Sequence, residues 1–355
     1  MKILFLSKRR PQGRDLMTRP YGRFFHLPSL LAKRGCESYL LLLDYGREPP
    51  CEFVHQGVFM ISESILPRGP FPYIARANSI IREVKPDWIV GFSDTYYGIL
   101  AEWLGRRHGI RSAIDAYDNY ESYLSLLLPL HRQWRKAIAG AALVTAAGPD
   151  LAHYLGASRP QGSVHVVPMA ADPIGFTPLD RAECRRRLAL PEKRKIIGYC
   201  GSIHSSRGIE TVFQAYRLLQ AGSSDIGLLL SGRKERRLHI PSAARWLGYV
   251  DDDEVPFVLN ALDVLLIPNR LSTFGRYSHP AKLYEAMSCR IPAVATETPA
   301  TNWILSGRKQ FLAPPDNPAE LASKAQALLE LGRYDYGRQN SWEESARLLE
   351  GLFSV

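Results

Sequence analysis

The chain has 355 residues, of which 46% are hydrophobic and 23% are charged, a composition typical of globular proteins rather than of disordered or fibrous ones. Lysine and arginine outnumber acidic residues by 45 to 35, giving a formal net charge of +10, so we expect an anionic partner. The longest apolar runs, residues 39–43 and 124–130, are far shorter than the ~18 residues that a membrane-spanning helix needs.

The N-terminus and the cysteines indicate the compartment. A short apolar run at residues 3–6 is followed by Lys8, Arg9 and Arg10, which does not match the longer apolar core of a secretory signal. The five cysteines, at positions 36, 51, 184, 200 and 289, form no CxxC pair and no Cys/His cluster at metal-ligand spacing. We therefore predict a buried first strand and a cytoplasmic protein with reduced thiols.

Short apolar runs alternate with helical patterns through the first half. Such runs are typical of parallel strands that are covered on both faces. They predict strands at residues 3–7, 39–43, 58–62, 88–92, 112–115, 143–145 and 164–168. Apolar residues at helical spacing predict helices around residues 24–31 and 74–84, and Gly35 marks the end of the first.

The same rhythm starts again after Asp172. Pro173, Pro178 and the charged residues 181–187 predict a connector with a linking helix. Strands are predicted at 196–200, 226–231, 245–247, 264–267 and 293–296, and helices at 209–219, 281–287, 317–331 and 341–352. This order predicts an α/β protein with two doubly wound domains, 1–172 and 173–340, which face each other across a ligand-binding cleft. The C-terminal helix, within 341–355, is expected to pack back on the first domain.

The segment from Gly201 to Gly208 is suited to binding a diphosphate. A strand ends at Gly201, which lets a ligand approach the backbone, and a helix is expected to begin near Arg207. The helix N-terminus offers amides to an anion, and Arg207 adds a permanent positive charge. An ordinary βα turn with a solvent-facing arginine explains the same residues equally well.

A second segment, residues 274–287, opens a helix after the strand at 264–267, with Pro280 expected in the first turn. Lys282 and Glu285 share a face near the helix N-terminus, where lysine can neutralise a phosphate and the carboxylate can accept two ribose hydroxyls. The alternative is a weak ion pair on the surface. Because the helix leads into the next strand, we expect it to pack on the sheet.

A third segment ends a short strand with Gly248, Tyr249 and Val250, whose backbone can face a flat nucleobase. The acidic residues 251–254 that follow are of the type that holds Mg²⁺ in nucleotide-sugar enzymes of another fold. We favour a solvated turn before a helix that begins around Glu254.

Taken in order, these segments resemble the C-terminal half of a family 4 glycosyltransferase of the GT-B fold, which has two Rossmann-like domains. The matching stretches are 201–208, 246–250, 261–268, 282–287 and 291–296, with weaker matches at 1–7, 33–37, 85–88 and 166–172. The resemblance implies transfer of a sugar, with retention of configuration, from a nucleoside diphosphate sugar to a hydroxyl of a glycan, lipid-linked or small-molecule acceptor. It implies no metal or other cofactor.

The sequence departs from the family at the diphosphate and at the sugar. Of two glutamates eight residues apart, Glu285 fills the second place and Tyr277 stands at the first, which leaves the identity of the sugar open. Ser202 stands in place of an arginine that grips the diphosphate, and Arg207 in place of its lysine partner, so Lys282 or Arg233 is expected to supply the missing charge. The donor-binding residues implied are Gly13, Gly201, Ser202, Arg233, Tyr249, Val250, Tyr277, Ser278 and Glu285.

Residues 115–121 follow a strand end, where the family often places a polar side chain near the reacting centre. Asp118 is the candidate, with Asp115 and Glu121 in reserve, so the catalytic set is Asp118, Arg207 and Lys282. A helix-capping aspartate is an equally good explanation of Asp118. The histidines expected to be structural are His26, His165 and His204, although His204 lies in the diphosphate loop.

Leucines within residues 124–130 precede a basic stretch at 131–136. The segment suits contact with an anionic membrane, or a helix that is apolar inside and basic outside; the net charge favours the membrane slightly. The expected partners are therefore a nucleotide sugar, a glycan or lipid-linked acceptor and an anionic membrane surface, as in polysaccharide biosynthesis.

Three other functions stay open. A nucleotide-sugar epimerase of the GT-B fold would need no second substrate. A basic nucleic-acid-binding protein is disfavoured because the sequence has no zinc-finger or RRM-type signature. The third is a non-catalytic family member, which Tyr277 would fit.

Overall fold

The computed structural model describes residues 1–172 and 175–354. The chain divides into two compact units: the first unit is Met1–Met169 with the C-terminal segment from Asn340, and the second unit is Ala170–Gln339. The sequence placed the boundaries after residues 172 and 340. Pro173, which was predicted to be part of the connector, lies outside the described residues.

The first unit, as far as it is described, is built on one eight-stranded sheet with the strand order β3-β4-β2-β1-β5-β6-β7-β8. The strands are β1 (Lys2–Lys8), β2 (Glu37–Asp44), β3 (Cys51–His55), β4 (Val58–Ser64), β5 (Trp88–Gly91), β6 (Arg111–Ala116), β7 (Leu143–Ala146) and β8 (His165–Val166). All neighbours are parallel except β3 and β4, which are antiparallel. The sequence did not predict β3, because this edge strand is exposed and carries no buried apolar run.

Five helices connect these strands: α1 (Gly22–Lys33), α2 (Phe71–Val84), α3 (Thr95–His108), α4 (Leu128–Gly140) and α5 (Pro149–Gly156). One core layer lies between the sheet and the inner faces of α2 and α3, and it contains fully buried side chains such as Leu4, Ile89 and Leu104. Burying the strands on both faces explains why they read as continuous apolar runs.

The second unit contains, among the residues described, a six-stranded parallel sheet with the order β11-β10-β9-β12-β13-β14. Its strands are β9 (Lys195–Cys200), β10 (Ile226–Ser231), β11 (Arg245–Trp246), β12 (Val264–Ile267), β13 (Ala293–Thr296) and β14 (Leu312–Ala313). Its helices are α6 (Arg181–Arg187), α7 (Ile209–Gly222), α8 (Val255–Asn260), α9 (Ala281–Ser288), α10 (Pro299–Ile304) and α11 (Pro318–Leu328). The α/β class and the two doubly wound, Rossmann-like units predicted from the sequence are confirmed.

α7 begins at Ile209, the start predicted for the helix over 209–219. The expectation of a start near Arg207 is wrong, because Ser205–Arg207 forms a separate 3-10 turn that Gly208 ends with φ +75°. Pro280 is the N-cap residue of α9 rather than a residue of its first turn.

The last helix, α12 (Trp342–Phe353), packs on α1 in the first unit. The Trp342 ring stacks on His26 with centroids 5.5 Å apart, and Trp88 Nε1 donates to the Phe353 carbonyl at 3.1 Å. Ser341 and Glu344 form the capping box that the sequence predicts. His26 is thus held in the packing between these helices, as expected of a structural histidine.

Candidate functional site

The site predicted in the second unit lies where the chain reverses direction across the sheet. The sequence runs from β9 outward to β11, then returns to place β12 on the other side of β9. In open parallel sheets, ligands bind at the carboxyl ends of the strands beside such a switch point. The loops after β9, β10 and β12 and the N-terminus of α9 therefore bound the candidate site.

Two glycines at the ends of β9 and β10 hold the first two loops together. A Cβ atom on Gly232 would lie 1.8 Å from the Gly201 carbonyl oxygen, so no other residue fits there. The Gly201 amide donates to the Ser231 carbonyl at 2.9 Å, and the Gly232 amide donates to the Gly248 carbonyl at 2.7 Å. These contacts also place the Tyr249 segment beside the end of β10.

Most amides of the loop after β9 already have partners inside the protein. The Ile203 amide donates to the Arg233 carbonyl at 2.9 Å, and the Ser205 amide and hydroxyl donate to the Glu235 carboxylate at 3.1 and 2.9 Å. The hydrogen bonds from Ser205 lower the pKa of Glu235. Sequence reasoning missed Glu235, which occupies a position that we expected to be open to an anion.

The amides of Ser202 and His204 point the other way. Along an extended segment, successive N–H groups point to opposite sides. Ile203 pairs with the loop after β10, so the amides on either side of it point away from that loop. Neither amide has an acceptor within residues 1–172 and 175–354. They remain available to an anionic ligand, whereas the other four amides of residues 201–206 do not.

Arg207 lies beside the end of β9 without a carboxylate partner in the described chain. Its guanidinium carbon sits 4.7 Å from the centre of the Phe274 ring, in the loop after β12. Burial raises the pKa of Tyr199 to about 12, and the positive charge of Arg207 opposes that rise. Arg207 is half-buried, and its charge, close to the end of β9, is available to an anion.

Lys282 and Glu285 form a partly buried pair rather than the surface pair that was the alternative. Lys282 Nζ lies 2.6 Å from Glu285 Oε2, and the two side chains are 21% and 10% exposed. Burial raises the pKa of Cys200, the last residue of β9, to about 11; the charge of Lys282 opposes the rise and that of Glu285 adds to it. The pair is therefore near the same strand end as Arg207.

Arg233 and Tyr249 form a cationic and aromatic surface after β10 and β11. The guanidinium carbon of Arg233 lies 5.0 Å from the centre of the Tyr249 ring, which is 46% exposed, and Val250 beside it is half-buried. Trp246 Nε1 donates to the Gly232 carbonyl at 3.0 Å and fixes the segment to the loop. A flat ligand group has an exposed ring to stack on here.

The loop after β12 presents Tyr277 and Ser278. Buried Asn269 fixes this loop. Its backbone N–H donates to Thr296 Oγ1 at 2.9 Å, and its side-chain Nδ2 donates to the Gly275 carbonyl at 2.7 Å. Tyr277 is half-buried and Ser278 is buried. Asn269 was not predicted, and its only sequence signal is its place directly after the Ile267-Pro268 strand end.

In the first unit, the two reserve carboxylates are engaged in internal pairs. Arg23 donates from Nε and Nη2 to Asp115 at 2.5 and 2.6 Å, and both side chains are buried. Glu121 accepts from Arg135 at 2.7 and 3.0 Å and from the Tyr154 hydroxyl at 2.6 Å. Both carboxylates therefore stabilise the unit.

Asp118 is buried in the turn after β6, and Tyr123 Oη donates to its Oδ2 at 2.9 Å. The N-cap residue of the 3-10 turn here is Asn119, so Asp118 is not the capping residue. Burial raises the pKa of Tyr123, and the charge of Asp118 adds to that rise, so the tyrosine stays protonated as the donor.

Gly13 ends a short turn after β1 with φ +79°, a conformation that favours glycine, and a Cβ there would meet no atom within 4 Å. The other two lone histidines have local partners: His165 lies 2.9 Å from Ser163 Oγ, and His204 Nδ1 accepts from the Ser206 amide.

The acidic residues 251–254 do not form a metal site with any other carboxylate, histidine or cysteine in the described part of the chain. Glu254 instead accepts hydrogen bonds from Arg187. Glu254 is the N-cap residue of α8, which begins at Val255.

Two family models match the chain over well more than half of its length. A model described as "Glycosyl transferase 4-like domain" matches residues 23–170, and one described as "Glycosyl transferases group 1" matches residues 194–331. The boundary between the matches falls in the same region as the boundary between the two compact units.

Curated relatives are similar over about half of the chain. A D-inositol 3-phosphate glycosyltransferase from Corynebacterium jeikeium is 27% identical over 224 residues, which is 54% of this chain and 51% of that protein. A 2-deoxystreptamine glucosyltransferase from Streptomyces kanamyceticus is 28% identical over 209 residues, 55% of this chain and 52% of that protein. The chain thus spans about half the length of the curated relatives it matches.

Solved structures share the fold over nearly the whole chain. A sucrose-phosphate synthase from Thermosynechococcus elongatus superposes with a TM-score of 0.78 at 17% identity, covering 99% of this chain and 98% of that one. The Anabaena protein HepE in complex with UDP-glucose superposes with a TM-score of 0.70 at 16% identity, covering 98% and 94%.

Proposed function

The chain belongs to the family 4 glycosyltransferases, and on this premise we propose that it transfers a sugar from a nucleoside diphosphate sugar to an acceptor hydroxyl. The observation that carries the proposal is that Arg207, which lies over the Phe274 ring of the loop after β12, and the Lys282–Glu285 pair of α9 both border the switch point of the sheet. Cations and backbone amides held at a strand end suit a diphosphate.

The chemistry requires stabilisation of the leaving group. As the bond between the sugar and the phosphate breaks, negative charge grows on the diphosphate. Fixed positive groups aimed at that charge lower the barrier, because they need no reorganisation during the reaction. Arg207 and Lys282, with the amides of Ser202 and His204, supply such groups in this chain.

We propose the remaining donor contacts from the residue types and the family resemblance. Glu285 accepts the ribose hydroxyls, and the base stacks beside Tyr249 and Val250, with Arg233 over the ring. The sugar meets Tyr277. The other residues assigned to the donor are Gly13, Gly201, Ser202 and Ser278. Asp118, oriented by Tyr123, positions the acceptor or the donor sugar.

The finer features of the proposal come from the family resemblance. We propose retention of configuration, a reaction that needs no metal, and a glycan, lipid-linked or small-molecule acceptor of the kind used in polysaccharide biosynthesis. We also keep the predicted cytoplasmic location. No helix within residues 1–172 and 175–354 has the length and apolarity to cross a bilayer.

A ligand panel tests the proposal. The protein is heated with UDP, GDP, ADP and dTDP and with their sugars, because a ligand that binds the folded state raises its stability, by about 2.7 kcal/mol at a hundred times Kd. UDP-glucose is the first donor to try, since the similar structure of HepE is a complex with it. We expect one nucleoside series to raise Tm, and Arg207→Ala to abolish that rise. No shift with any member of the panel would contradict the proposal.

Turnover then separates transfer from epimerisation. The donor that raises Tm is incubated alone and with candidate acceptors, with and without EDTA. Transfer predicts that nucleoside diphosphate is released at an acceptor-dependent rate that EDTA does not change. Conversion of the sugar without an acceptor would identify an epimerase, and loss of activity in EDTA would remove the metal-free part of the proposal.

A further inference from the structure

Residues 124–128, which we call the leucine tip, expose four leucines between β6 and the first turn of α4. Leu126 is 91% exposed and Leu128 is 61% exposed, so neither packs on the body of the unit. Single exposed apolar residues are common, whereas a contiguous exposed group marks a surface that another apolar phase covers.

The helix that follows carries positive charge on its outer side. Leu128, Arg132 and Lys136 are spaced four residues apart, so they share one face of α4, and all three are exposed. His131, Trp134 and Ala137 are buried on the opposite face. The helix is thus apolar inside and basic outside, as one of the two sequence interpretations expected, while the leucines before it remain in solvent.

A second exposed apolar group lies at the same edge of the sheet. Phe71, the first residue of α2, is 75% exposed, and Leu66 and Arg68 just before it are also exposed. Because β4 and β6 belong to the parallel part of the sheet, the segments after them leave from one edge. Four strand spacings separate these strands in the sheet order, or ~19 Å.

Three cations without an ion-pair partner lie beside the two groups. Glu121 is paired with Arg135 and Asp94 with Lys8, and Glu63, near Arg68, partly offsets the charge of that arginine. Arg68, Arg132 and Lys136 have no carboxylate within 4.0 Å in the part of the chain that the structure describes. This edge therefore carries exposed apolar side chains next to cations. A bilayer with anionic headgroups is complementary to both.

We propose that the first unit docks on an anionic phospholipid bilayer through the leucine tip and the Leu66–Phe71 segment together. Leucine and phenylalanine side chains enter the boundary between headgroups and acyl chains, while Arg68, Arg132 and Lys136 lie against lipid phosphates. Two points of contact on one sheet edge fix the orientation of the unit on the membrane. The inference does not depend on the sugar-transfer chemistry.

Vesicle sedimentation of the full chain tests this surface. Vesicles of phosphatidylcholine alone are compared with vesicles of equal parts phosphatidylcholine and phosphatidylglycerol. We expect binding to the anionic vesicles, and Leu126→Ser/Leu127→Ser should weaken it about tenfold or more because two apolar side chains no longer leave water. Phe71→Ser should weaken it less, and Arg68→Gln/Arg132→Gln should weaken it about fivefold per charge at low salt.

The matched control is Leu218→Ser/Leu271→Ser, which removes two exposed leucines from the second unit; they are 51% and 58% exposed, against 91% and 46% for Leu126 and Leu127. It should bind vesicles like the unchanged protein, and circular dichroism should show all variants folded. Equal binding by the tip variant and the control, or equal binding to both kinds of vesicle, would overturn the proposal. A dimer that only the tip variant disrupts would also overturn the proposal, because the leucines would then pack against a second copy of the chain.

Discussion

The carboxyl edges of the two sheets use their charges differently. In the first unit, buried or half-buried cations near the strand ends are neutralised within the fold, as in the pair of Arg23 with Asp115 and that of Arg9 with Asp15. In the second unit, Arg207 rests on an aromatic ring rather than on a carboxylate. The same architecture thus holds these two arginines in internal ion pairs at one edge and leaves Arg207 at the other without a carboxylate partner among the described residues.

Breaking the buried pair in the first unit is expected to have the largest effect. Asp115→Ala leaves Arg23 charged and buried without its partner, which should lower the free energy of unfolding by about 3–5 kcal/mol. Urea denaturation measures the loss. The double variant Arg23→Met/Asp115→Ala should regain part of it, and the folded fraction should bind nucleotide normally. Equal stability of Asp115→Ala and the unchanged protein would show that the pair is not structural.

Removing Arg207 sharpens the contrast, because its loss should affect the reaction and not the fold. Arg207→Ala should lower turnover by about 10²–10³, the effect of losing one fixed group that stabilises transition-state charge. Its unfolding free energy should change by less than about 0.5 kcal/mol. Arg217→Ala, on the exposed side of α7, is the matched control. A normal rate in Arg207→Ala would place the diphosphate elsewhere.

A substitution of Glu285 tests whether this carboxylate binds the ribose of the donor. Glu285→Ala should weaken nucleoside diphosphate binding by about 10- to 100-fold, the range for hydrogen bonds to a charged group. Calorimetry with the 2′,3′-dideoxy nucleotide provides the control, because that ligand has no ribose hydroxyls and should bind both proteins equally. If the variant lost affinity equally for both nucleotides, Glu285 would not be the ribose acceptor.

Glu121 should show the smallest effect, and a pH-dependent one. Burial alone would raise its pKa, but hydrogen bonds from Arg135 and Tyr154 outweigh burial and lower the pKa below its usual value of 4.5. A lowered pKa in the folded state means that the carboxylate stabilises the fold at neutral pH, and that this contribution is lost as the pH falls through the folded pKa.

Glu121→Gln should therefore lower the unfolding free energy by about 1–2 kcal/mol at pH 7. The difference between variant and unchanged protein should shrink as the pH drops below 4.5. Urea titrations at several pH values measure it, and a difference that persisted unchanged in acid would exclude the charged form as the source.

Features that depend on neighbouring residues in the chain could be predicted from the sequence. The strands at 226–231, 264–267 and 293–296 match the structure residue for residue, because continuous apolar runs between polar loops can form little else in a parallel sheet. The capping box of Ser341 and Glu344 and the approach of Lys282 to Glu285 also follow from spacing along one helix.

Features that depend on distant residues were decided only by the tertiary structure. Glu235 reaches Ser205 across 30 positions, and Arg23 reaches Asp115 across 92, so no local pattern reveals that one anion site is already filled or that one aspartate is structural. Burial works the same way: the sequence left open whether residues 124–130 contact a membrane or lie in a helix that is apolar inside, and only the packing of α4 through its other face shows that the leucines of 124–128 are exposed. Interactions between neighbouring residues thus determine the helices and strands. Contacts between distant residues determine which side chains remain available to a ligand.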